Sequence, residues 1–309
     1  MTGYGDLAPE LARLLPAGRL RVNEPMARHT SFGIGGPADL LVEPENRGEL
    51  EVCLAFAAEH GMPVTVIGLG TNLLVRDGGC RGLVIKMTGL GELSELPGDD
   101  GRRIRAGGGA PLAEVAAFAA RRGMSGLEFA SGIPGSLGGA VVMNAGAYGG
   151  EMADVVEECA ILEAGGRRLR LTASDLAFGY RRSSIGDRQL VVEAVLRLRT
   201  GSPAAIRERM EEYRRRRQER QPLDQRSAGS VFRRPEGHFA GALIEEAGLR
   251  GLRVGDAQVS TRHAGFIVNV GAATARDVLA LMDRIRQTVR ELRGVELEPE
   301  LRIVGVDAG

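Results

Sequence analysis

The chain contains 309 residues, of which 43% are hydrophobic and 26% are charged. This composition is typical of a folded globular protein, and the length predicts about two or three domains. Forty basic residues balance forty acidic residues, so no overall charge draws the protein to nucleic acid or to an anionic membrane. We therefore expect neither of these as a partner.

The cysteines and the N-terminal residues narrow the class of protein further. Cys53, Cys80 and Cys159 are odd in number and widely spaced, which argues against a disulfide framework and against a zinc site. Residues 1–18 include two acidic side chains and no apolar run of roughly 18 residues, so they predict neither a signal peptide nor a membrane span. A cytoplasmic protein is expected.

Strand-like runs alternate with helical patterns in the first part of the chain. The patterns predict strands at residues 40–42, 63–67 and 83–85, and helices at residues 49–60 and 111–122. Glycine clusters occupy residues 33–36, 68–70, 78–82, 107–109 and 132–150. This layout predicts an α/β or α+β fold.

The later part of the chain changes from strands to helices. Strands are predicted at residues 155–156, 159–162, 168–171 and 190–198, and helices at 204–220 and 273–293. A last strand is predicted at residues 295–303. Its alternation places Val295, Leu297, Leu301 and Ile303 on one face, and Glu296, Glu298, Glu300 and Arg302 on the other.

Two glycine-rich loops have the composition of a phosphate cradle. They are residues 67–75 and residues 131–140, and glycine lets backbone N–H groups approach a diphosphate closely. Neither loop has the GxGxxG spacing, and GxxxxGK[ST] is absent, which argues against the Rossmann and P-loop folds. A single glycine cluster is more often a tight turn, but several clusters in one stretch favour a dinucleotide site.

Three titratable residues are candidates for chemistry, because glycine, aromatic or proline neighbours would hold them in place. They are Arg181, Ser230 and Glu300. From spacing alone, a residue in such a position is more often structural or on the surface than catalytic. The four histidines show no metal-ligand spacing, and HExxH is absent, so no metal is expected.

The order of these motifs resembles the MurB family of UDP-N-acetylenolpyruvoylglucosamine reductases. The similarity includes HTSFGIGG at residues 29–36, NAGAYG at 144–149 and SAGSVF at 227–232, and it extends over about 270 residues. The other matching segments are residues 68–75, 126–130, 131–140, 178–181, 221–223, 243–249, 257–260, 263–266 and 297–302.

The resemblance implies an α+β chain with an FAD-binding fold of the vanillyl-alcohol-oxidase type. We expect FAD-binding subdomain 1 at residues 1–90, FAD-binding subdomain 2 at residues 91–200, and a substrate-binding domain at residues 201–309. The short connection before residue 204 and the pattern at residues 221–230 resemble the shorter, type II branch of the family.

The resemblance also implies the activity. In this family NADPH delivers a hydride to non-covalently bound FAD, and UDP-N-acetylenolpyruvoylglucosamine then enters the same pocket and is reduced to UDP-N-acetylmuramate for peptidoglycan. The expected partners are therefore small molecules, and the chain is expected to act as a monomer.

The three candidate residues match the family's catalytic positions. The resemblance implies that Arg181 faces the substrate carboxylate on which negative charge develops, that Ser230 donates a proton to the adjacent carbon, and that Glu300 helps to polarise the enolpyruvyl group. We interpret Glu296 and Glu298 as a solvated acidic edge.

The resemblance implies contacts to both ligands. The implied FAD contacts are Ile67, Gly68, Gly70, Thr71, Asn72, Leu73, Leu74, Ser131, Gly132, Ile133, Pro134, Gly135, Ser136, Gly139 and Gly146. The implied substrate contacts are Tyr148, Arg216, Arg220, Arg234 and Gln258. Arg234 replaces the family's usual asparagine, and it could add a contact to the diphosphate or crowd the pocket. His29 also replaces a common asparagine, which we interpret as a neutral turn variant.

Two alternatives stay open at this stage. One is a different oxidoreductase of the same flavin fold, such as an alcohol oxidase with covalent FAD, although Ser230 and Glu300 argue against it. The other is a non-catalytic nucleotide-binding relative in which Arg234 has ended turnover.

Overall fold

The computed structural model describes residues 4–97 and 102–309, which form two compact units. Unit 1 comprises Met1–Val22, Leu40–Leu69 and Gly82–Arg217, and unit 2 comprises Asn23–Asp39, Gly70–Arg81 and Gln218–Gly309. The α-helices are α1 (Ala8–Leu14), α2 (Arg47–Glu59), α3 (Leu112–Arg121), α4 (Leu137–Val142), α5 (Pro203–Arg220), α6 (Ala240–Glu246) and α7 (Ala275–Arg293). Among the described residues, no helix combines the length and the apolar character that crossing a membrane requires.

The described part of the chain also contains eighteen strands. The first nine are β1 (Leu20–Pro25), β2 (Pro37–Val42), β3 (Val64–Ile67), β4 (Leu73–Val75), β5 (Cys80–Lys86), β6 (Leu93–Leu96), β7 (Arg102–Gly107), β8 (Met124–Ser125) and β9 (Gly146–Ala147). The others are β10 (Gly150–Glu151), β11 (Val156–Glu163), β12 (Arg168–Thr172), β13 (Gln189–Thr200), β14 (Arg226–Ser230), β15 (Arg253–Val254), β16 (Ala257–Val259), β17 (Phe266–Asn269) and β18 (Arg302–Val304).

Within residues 4–97 and 102–309, the strands form five sheets. Two four-stranded sheets have the orders β1-β2-β5-β3 and β14-β17-β16-β15, and a larger sheet has the order β12-β11-β13-β7-β6 with β8 beside β13. The pairs β9–β10 and β4–β18 complete the set. Most of the pairings are antiparallel, whereas β3 pairs with β5, and β4 with β18, in parallel.

The four predicted helices are confirmed, and local sequence explains their ends. In α2 the Asn46 side chain accepts a hydrogen bond from the Glu49 backbone N–H, which caps the first turn. In α7, Thr274 and Asp277 form a reciprocal capping box, and the helix ends at Gly294 with φ 68°. The predicted apolar stripe of α7 is buried from Val278 to Val289, whereas Leu292 is exposed.

Hydrophobic clusters of buried side chains form the cores, and three of them are found among the described residues. In unit 1, one cluster contains Leu40, Leu54 and Leu83 with other side chains of α2, β2 and β5, and a second is built from α3, α4 and the large antiparallel sheet. In unit 2, the buried face of α7 packs with side chains of α6, β14, β16 and β17. Each cluster joins helices to a sheet, as amphipathic elements require.

The predicted strand at residues 295–303 is wrong in its extent. Only Arg302–Val304 pairs as a strand, with β4, and the preceding residues are extended with a single bridge between Pro299 and Phe232. The predicted alternation nevertheless holds, since Leu297 and Leu301 are buried and Glu296 and Glu298 are exposed. Backbone hydrogen bonds flank that bridge, since the Glu300 N–H donates to the Val231 carbonyl and the Arg233 N–H donates to the Glu298 carbonyl. Arg286 holds the segment from the other side, where it pairs with Glu296 and its Nε donates to the Leu297 carbonyl.

Candidate functional site

The two glycine-rich loops meet in unit 1 at Gly68 and Ser136. A Cβ added to Gly68 would lie 2.1 Å from Ser136 Oγ, so only glycine allows this approach. Ser136 is buried, and its Oγ accepts a hydrogen bond from the Gly139 N–H at 3.4 Å. Residues that the sequence assigned to one cofactor are therefore in contact although they are 68 positions apart.

The loop continues in unit 2 with a second obligatory glycine. Gly70 has φ 65°, and an added Cβ would lie 2.0 Å from the carbonyl oxygen of His29. The Gly70 carbonyl in turn accepts a hydrogen bond from the Ser31 N–H at 3.1 Å. The loop is therefore held by the HTSFGIGG segment, which sequence analysis noted only as part of the resemblance.

Asn72 connects the glycine loop to Glu300 within unit 2. Its Nδ2 donates to the Glu300 carbonyl at 3.2 Å, and its own carbonyl accepts from the Arg302 N–H at 3.1 Å. These bonds extend the parallel pairing of β4 with β18 by one residue. Asn72, which the resemblance implies to contact FAD, therefore holds the backbone at Glu300, which the resemblance implies to be catalytic.

Ser230 and Glu300 lie on neighbouring backbone segments of unit 2. The Glu300 N–H donates to the Val231 carbonyl at 2.8 Å, next to Ser230 in the chain. Ser230 is exposed at the end of β14, and Glu300 is half-buried. A register shift in the β14–β17 pairing between Ser227 and Ser230, with Gly229 at φ 78°, turns the strand end.

Arg181 lies in a tight turn of unit 1. Gly179 and Arg182 exchange two backbone hydrogen bonds across the turn, and Arg181 has φ 53°. Positive φ is uncommon for a side chain of this size, and such strain concentrates at functional sites. The Arg181 Nη2 donates to the Gly146 carbonyl at 3.1 Å, and the guanidinium lies 5.1 Å from the Tyr180 ring centre.

A stacked pair of tyrosines joins residue 148, which follows the second glycine loop in the chain, to helix α5. The rings of Tyr148 and Tyr213 are 4.3 Å apart and nearly parallel, and Tyr148 Oη donates to the Tyr213 carbonyl at 3.0 Å. Tyr148 has φ 55° and is 38% exposed, so the backbone holds one ring of the stack at the surface.

Arg217 is a functional candidate that sequence reasoning missed. Its Nε is buried and has no hydrogen-bond partner among the described residues, and a Cβ on Gly132 would lie 3.3 Å from its Cδ. Burial lowers the pKa of Arg217, while the Tyr148 side chain opposes that shift. The only signal in the sequence was its place in the arginine run of residues 214–217, which did not distinguish it from its neighbours.

The other implied substrate residues lie in different surroundings. Arg216 is exposed and pairs with Glu212 one helical turn away, and Arg220 is exposed at the end of α5. The Arg234 guanidinium lies 4.0 Å from the centre of the exposed Phe239 ring, and its Nε donates to the His238 carbonyl. Gln258 is half-buried in β16, with its Nε2 donating to the Gly251 carbonyl.

Two family models match the chain. The model described as an FAD binding domain matches residues 38–172, a range that includes the sequences of both glycine-rich loops. The model described as the C-terminal domain of UDP-N-acetylenolpyruvoylglucosamine reductase matches residues 221–304, which include Ser230 and Glu300.

Curated relatives match the chain over nearly its whole length. UDP-N-acetylenolpyruvoylglucosamine reductase 2 of Symbiobacterium thermophilum is 51% identical over 289 residues, which cover 93% of each chain. The reductase of Caldanaerobacter subterraneus is 47% identical and covers 97% of this chain and 98% of its own. The Clostridium tetani reductase is 44% identical and covers 99% of both.

A solved structure agrees with these matches. The crystal structure of UDP-N-acetylenolpyruvylglucosamine reductase from Thermus caldophilus aligns with a TM-score of 0.79 at 39% identity, and it covers 92% of this chain and 99% of its own. The α+β prediction with an FAD-binding fold is confirmed by this likeness and by the FAD-binding model. This chain therefore belongs to the UDP-N-acetylenolpyruvoylglucosamine reductase family.

Proposed function

We propose that the chain reduces UDP-N-acetylenolpyruvoylglucosamine to UDP-N-acetylmuramate, with NADPH as the reductant and FAD as the cofactor, in peptidoglycan precursor synthesis. The observation that carries this proposal is 51% identity to a reductase of that name over 93% of both chains. The matched C-terminal domain model, which includes Ser230 and Glu300, supports the same reaction.

The residues of unit 1 fit a flavin dinucleotide. Two observations support this proposal. Gly68 approaches Ser136 closely, and the buried Nε of Arg217, which has no hydrogen-bond partner among residues 4–97 and 102–309, lies near Gly132. FAD carries acceptor oxygens on its diphosphate and on its pyrimidine ring, and a buried N–H group gains from such an acceptor. In unit 1, Ile67, Gly68, residues 131–136, Gly139 and Gly146 would hold the cofactor, with Arg217 donating to one of its oxygens. Gly70, Thr71, Asn72, Leu73 and Leu74 are proposed as cofactor contacts from the family resemblance alone.

Bound FAD would supply the carrier that accepts a hydride from NADPH and passes it to the enolpyruvyl methylene carbon. Negative charge then develops on the adjacent carbon and its carboxylate. In this proposal the Arg181 guanidinium stabilises that charge, and the Ser230 hydroxyl delivers the proton to the carbon. Glu300 helps to polarise the enolpyruvyl group and acts beside Ser230, whose neighbour Val231 accepts the Glu300 N–H.

The substrate contacts of the proposal lie outside the glycine loops. Tyr148, Arg216, Arg220, Arg234 and Gln258 are proposed to bind the nucleotide-sugar, with the arginines facing its diphosphate. We also propose the division into residues 1–90, 91–200 and 201–309, since each range contributes most of one hydrophobic cluster. We also propose that the protein acts as a monomer in the cytoplasm and that its partners are small molecules.

An assay of the purified protein tests the function. We expect a yellow protein that oxidises NADPH only when UDP-N-acetylenolpyruvoylglucosamine is present, because the carrier must be reoxidised by that substrate. NADPH oxidation is followed by absorbance, and product formation by mass spectrometry. UDP-N-acetylglucosamine, which lacks the enolpyruvyl group, is the matched control. Rapid NADPH oxidation with the control or without substrate would contradict the proposal.

A further inference from the structure

Asn144 is a fully buried polar residue between the second glycine loop and the turn that contains Arg181. Its side chain makes two hydrogen bonds, in which Nδ2 donates to the Gly179 carbonyl at 3.1 Å and Oδ1 accepts from the Ala153 N–H at 2.9 Å. Its backbone has φ 41°, a conformation that asparagine tolerates better than most residues. The amide therefore has one orientation in which both partners are satisfied.

The carbonyl that Asn144 binds is the one that closes the Arg181 turn. Gly179 accepts a hydrogen bond from the Arg182 N–H at 3.2 Å, and its own N–H donates to the Arg182 carbonyl at 3.0 Å. Arg181 lies between them at φ 53°. A left-handed conformation costs free energy for a branched or long side chain, so contacts from outside the turn must stabilise it.

The segment that contains Asn144 also contacts the guanidinium of Arg181. Its Nη2 donates to the Gly146 carbonyl at 3.1 Å, and Gly146 follows Asn144 by two residues. The segment 144–146 therefore holds the turn at its backbone, through Gly179, and at its side chain, through Arg181. Movement of this segment would change both the position and the direction of the guanidinium.

We propose that Asn144 is a positioning residue for Arg181, which aims the guanidinium at the carboxylate of the enolpyruvyl substrate. The inference rests on the proposed function. Replacing Asn144 should slow the half-reaction in which the enolpyruvyl substrate is reduced, because negative charge develops on the substrate carboxylate in that step. The half-reaction in which NADPH reduces the flavin should keep its rate.

The variant Asn144→Asp tests the donor to Gly179. The new side chain keeps an acceptor for the Ala153 N–H, but its ionised form cannot donate to the Gly179 carbonyl. Stopped-flow absorbance of the holoenzyme measures flavin reduction by NADPH and then reoxidation by substrate. We expect reduction within about twofold of the parent and reoxidation slower by roughly ten- to a hundredfold, the loss expected when a reacting group is misplaced by about 1 Å.

The pH profile separates positioning from general damage. A protonated carboxyl group can donate to the Gly179 carbonyl, and burial favours the protonated form. The reoxidation rate of Asn144→Asp relative to the parent should therefore rise as the pH falls from about 8 to about 6. Calorimetry of substrate binding to the oxidised protein should show weaker binding that recovers over the same range.

Ser183→Ala is the matched control. Ser183 Oγ donates to the Val142 carbonyl at 2.9 Å, so it links the same two segments without contacting the Gly179 carbonyl. We expect this variant to keep both half-reactions. If Asn144→Asp prevents folding, Asn144→Gly is the second variant, because glycine accepts the positive φ and introduces no buried charge, and it removes both the donor to Gly179 and the acceptor for the Ala153 N–H. Slower reoxidation with unchanged reduction by NADPH is expected for this variant too.

The outcomes distinguish this inference from the proposed function. If the parent cannot be reoxidised by the enolpyruvyl substrate, the proposed function is wrong. If the parent is reoxidised and the Asn144 variants match it, or if Ser183→Ala loses reoxidation to the same degree, Asn144 has no special role in positioning Arg181.

Discussion

A serine hydroxyl has little acidity of its own, so Ser230 depends on the groups placed beside it. Its strand ends in a register shift, and the next residue, Val231, accepts the Glu300 N–H at 2.8 Å. The backbone therefore keeps the proposed proton donor and the proposed polarising carboxylate on adjacent segments. This arrangement at the residue scale suits delivery of a proton late in the reaction.

Replacing Ser230 tests this role. In Ser230→Ala we expect flavin reduction by NADPH at the parent rate and reoxidation by substrate slower by at least about a hundredfold, because the proton donor is lost. Rapid-mixing absorbance measures both steps. Ser227→Ala, a half-buried serine of the same strand, is the control and should keep both rates. Equal loss in the two variants would show damage to β14 instead of loss of a donor.

The cysteines take no part in this chemistry. All three are buried, and desolvation raises the pKa of Cys53 and of Cys159 to about 12. A thiol with such a pKa stays protonated at neutral pH and is a poor nucleophile. Cys53 and Cys159 act as small apolar groups in the cores.

At the scale of elements, the first glycine loop is constrained by backbone more than by side chains. Gly70 needs both a positive φ and the absence of a Cβ, because the His29 carbonyl lies where a Cβ would be placed. The loop then leads into β4, whose partner β18 follows Glu300 in the chain. A change at Gly70 should therefore affect cofactor binding and the position of Glu300 together.

Two glycine variants separate the cost of a positive φ from the cost of a steric clash between an added Cβ and the backbone. Gly70→Ala should lower the free energy of unfolding by about 1–3 kcal/mol more than Gly149→Ala, since both require positive φ but only Gly70 faces a backbone atom. A Cβ at Gly149 would meet nothing within 4 Å. Chemical denaturation measures the difference, and bound flavin is measured by absorbance. A similar loss of unfolding free energy in both variants would show that the clash with the His29 carbonyl contributes nothing.

At the scale of the whole molecule, the cofactor should stabilise the fold. A ligand that binds only the native state at a hundredfold excess over its Kd adds about 2.7 kcal/mol of stability. Removing FAD should therefore lower the Tm by several degrees, and adding it back should restore the Tm. Differential scanning calorimetry of the flavin-free and reconstituted chain checks this expectation.

Arg217 provides the matched variant for that measurement. Its buried Nε has no partner among the described residues, so Arg217→Gln should weaken FAD binding and reduce the rise in Tm at a given FAD concentration. Arg214→Gln, an exposed residue of the same helix, should behave as the parent does. An unchanged response in Arg217→Gln would exclude Arg217 from the cofactor site.

The sequence by itself determined the long helices, the strand alternation and the family. Apolar spacing and caps are local, so α2, α3, α5 and α7 could be predicted to within a few residues. The collinear motifs indicated the cofactor loops and Ser230, Arg181 and Glu300. The alternation of Glu296, Glu298 and Glu300 was visible too, because a period of two follows from extended backbone alone.

Only the tertiary structure decided which of these residues are neighbours. Three features depend on segments that are distant in sequence. They are the burial of the Arg217 Nε, the contact of Gly68 with Ser136, and the hydrogen bond from Asn144 to the Gly179 carbonyl. The predicted strand at 295–303 was too long for the same reason, because a strand needs a continuous partner and this segment has a short backbone bridge to residues 231–233 before it pairs with β4 at Arg302. Local patterns specify the preference of a segment, whereas its environment depends on what packs against it.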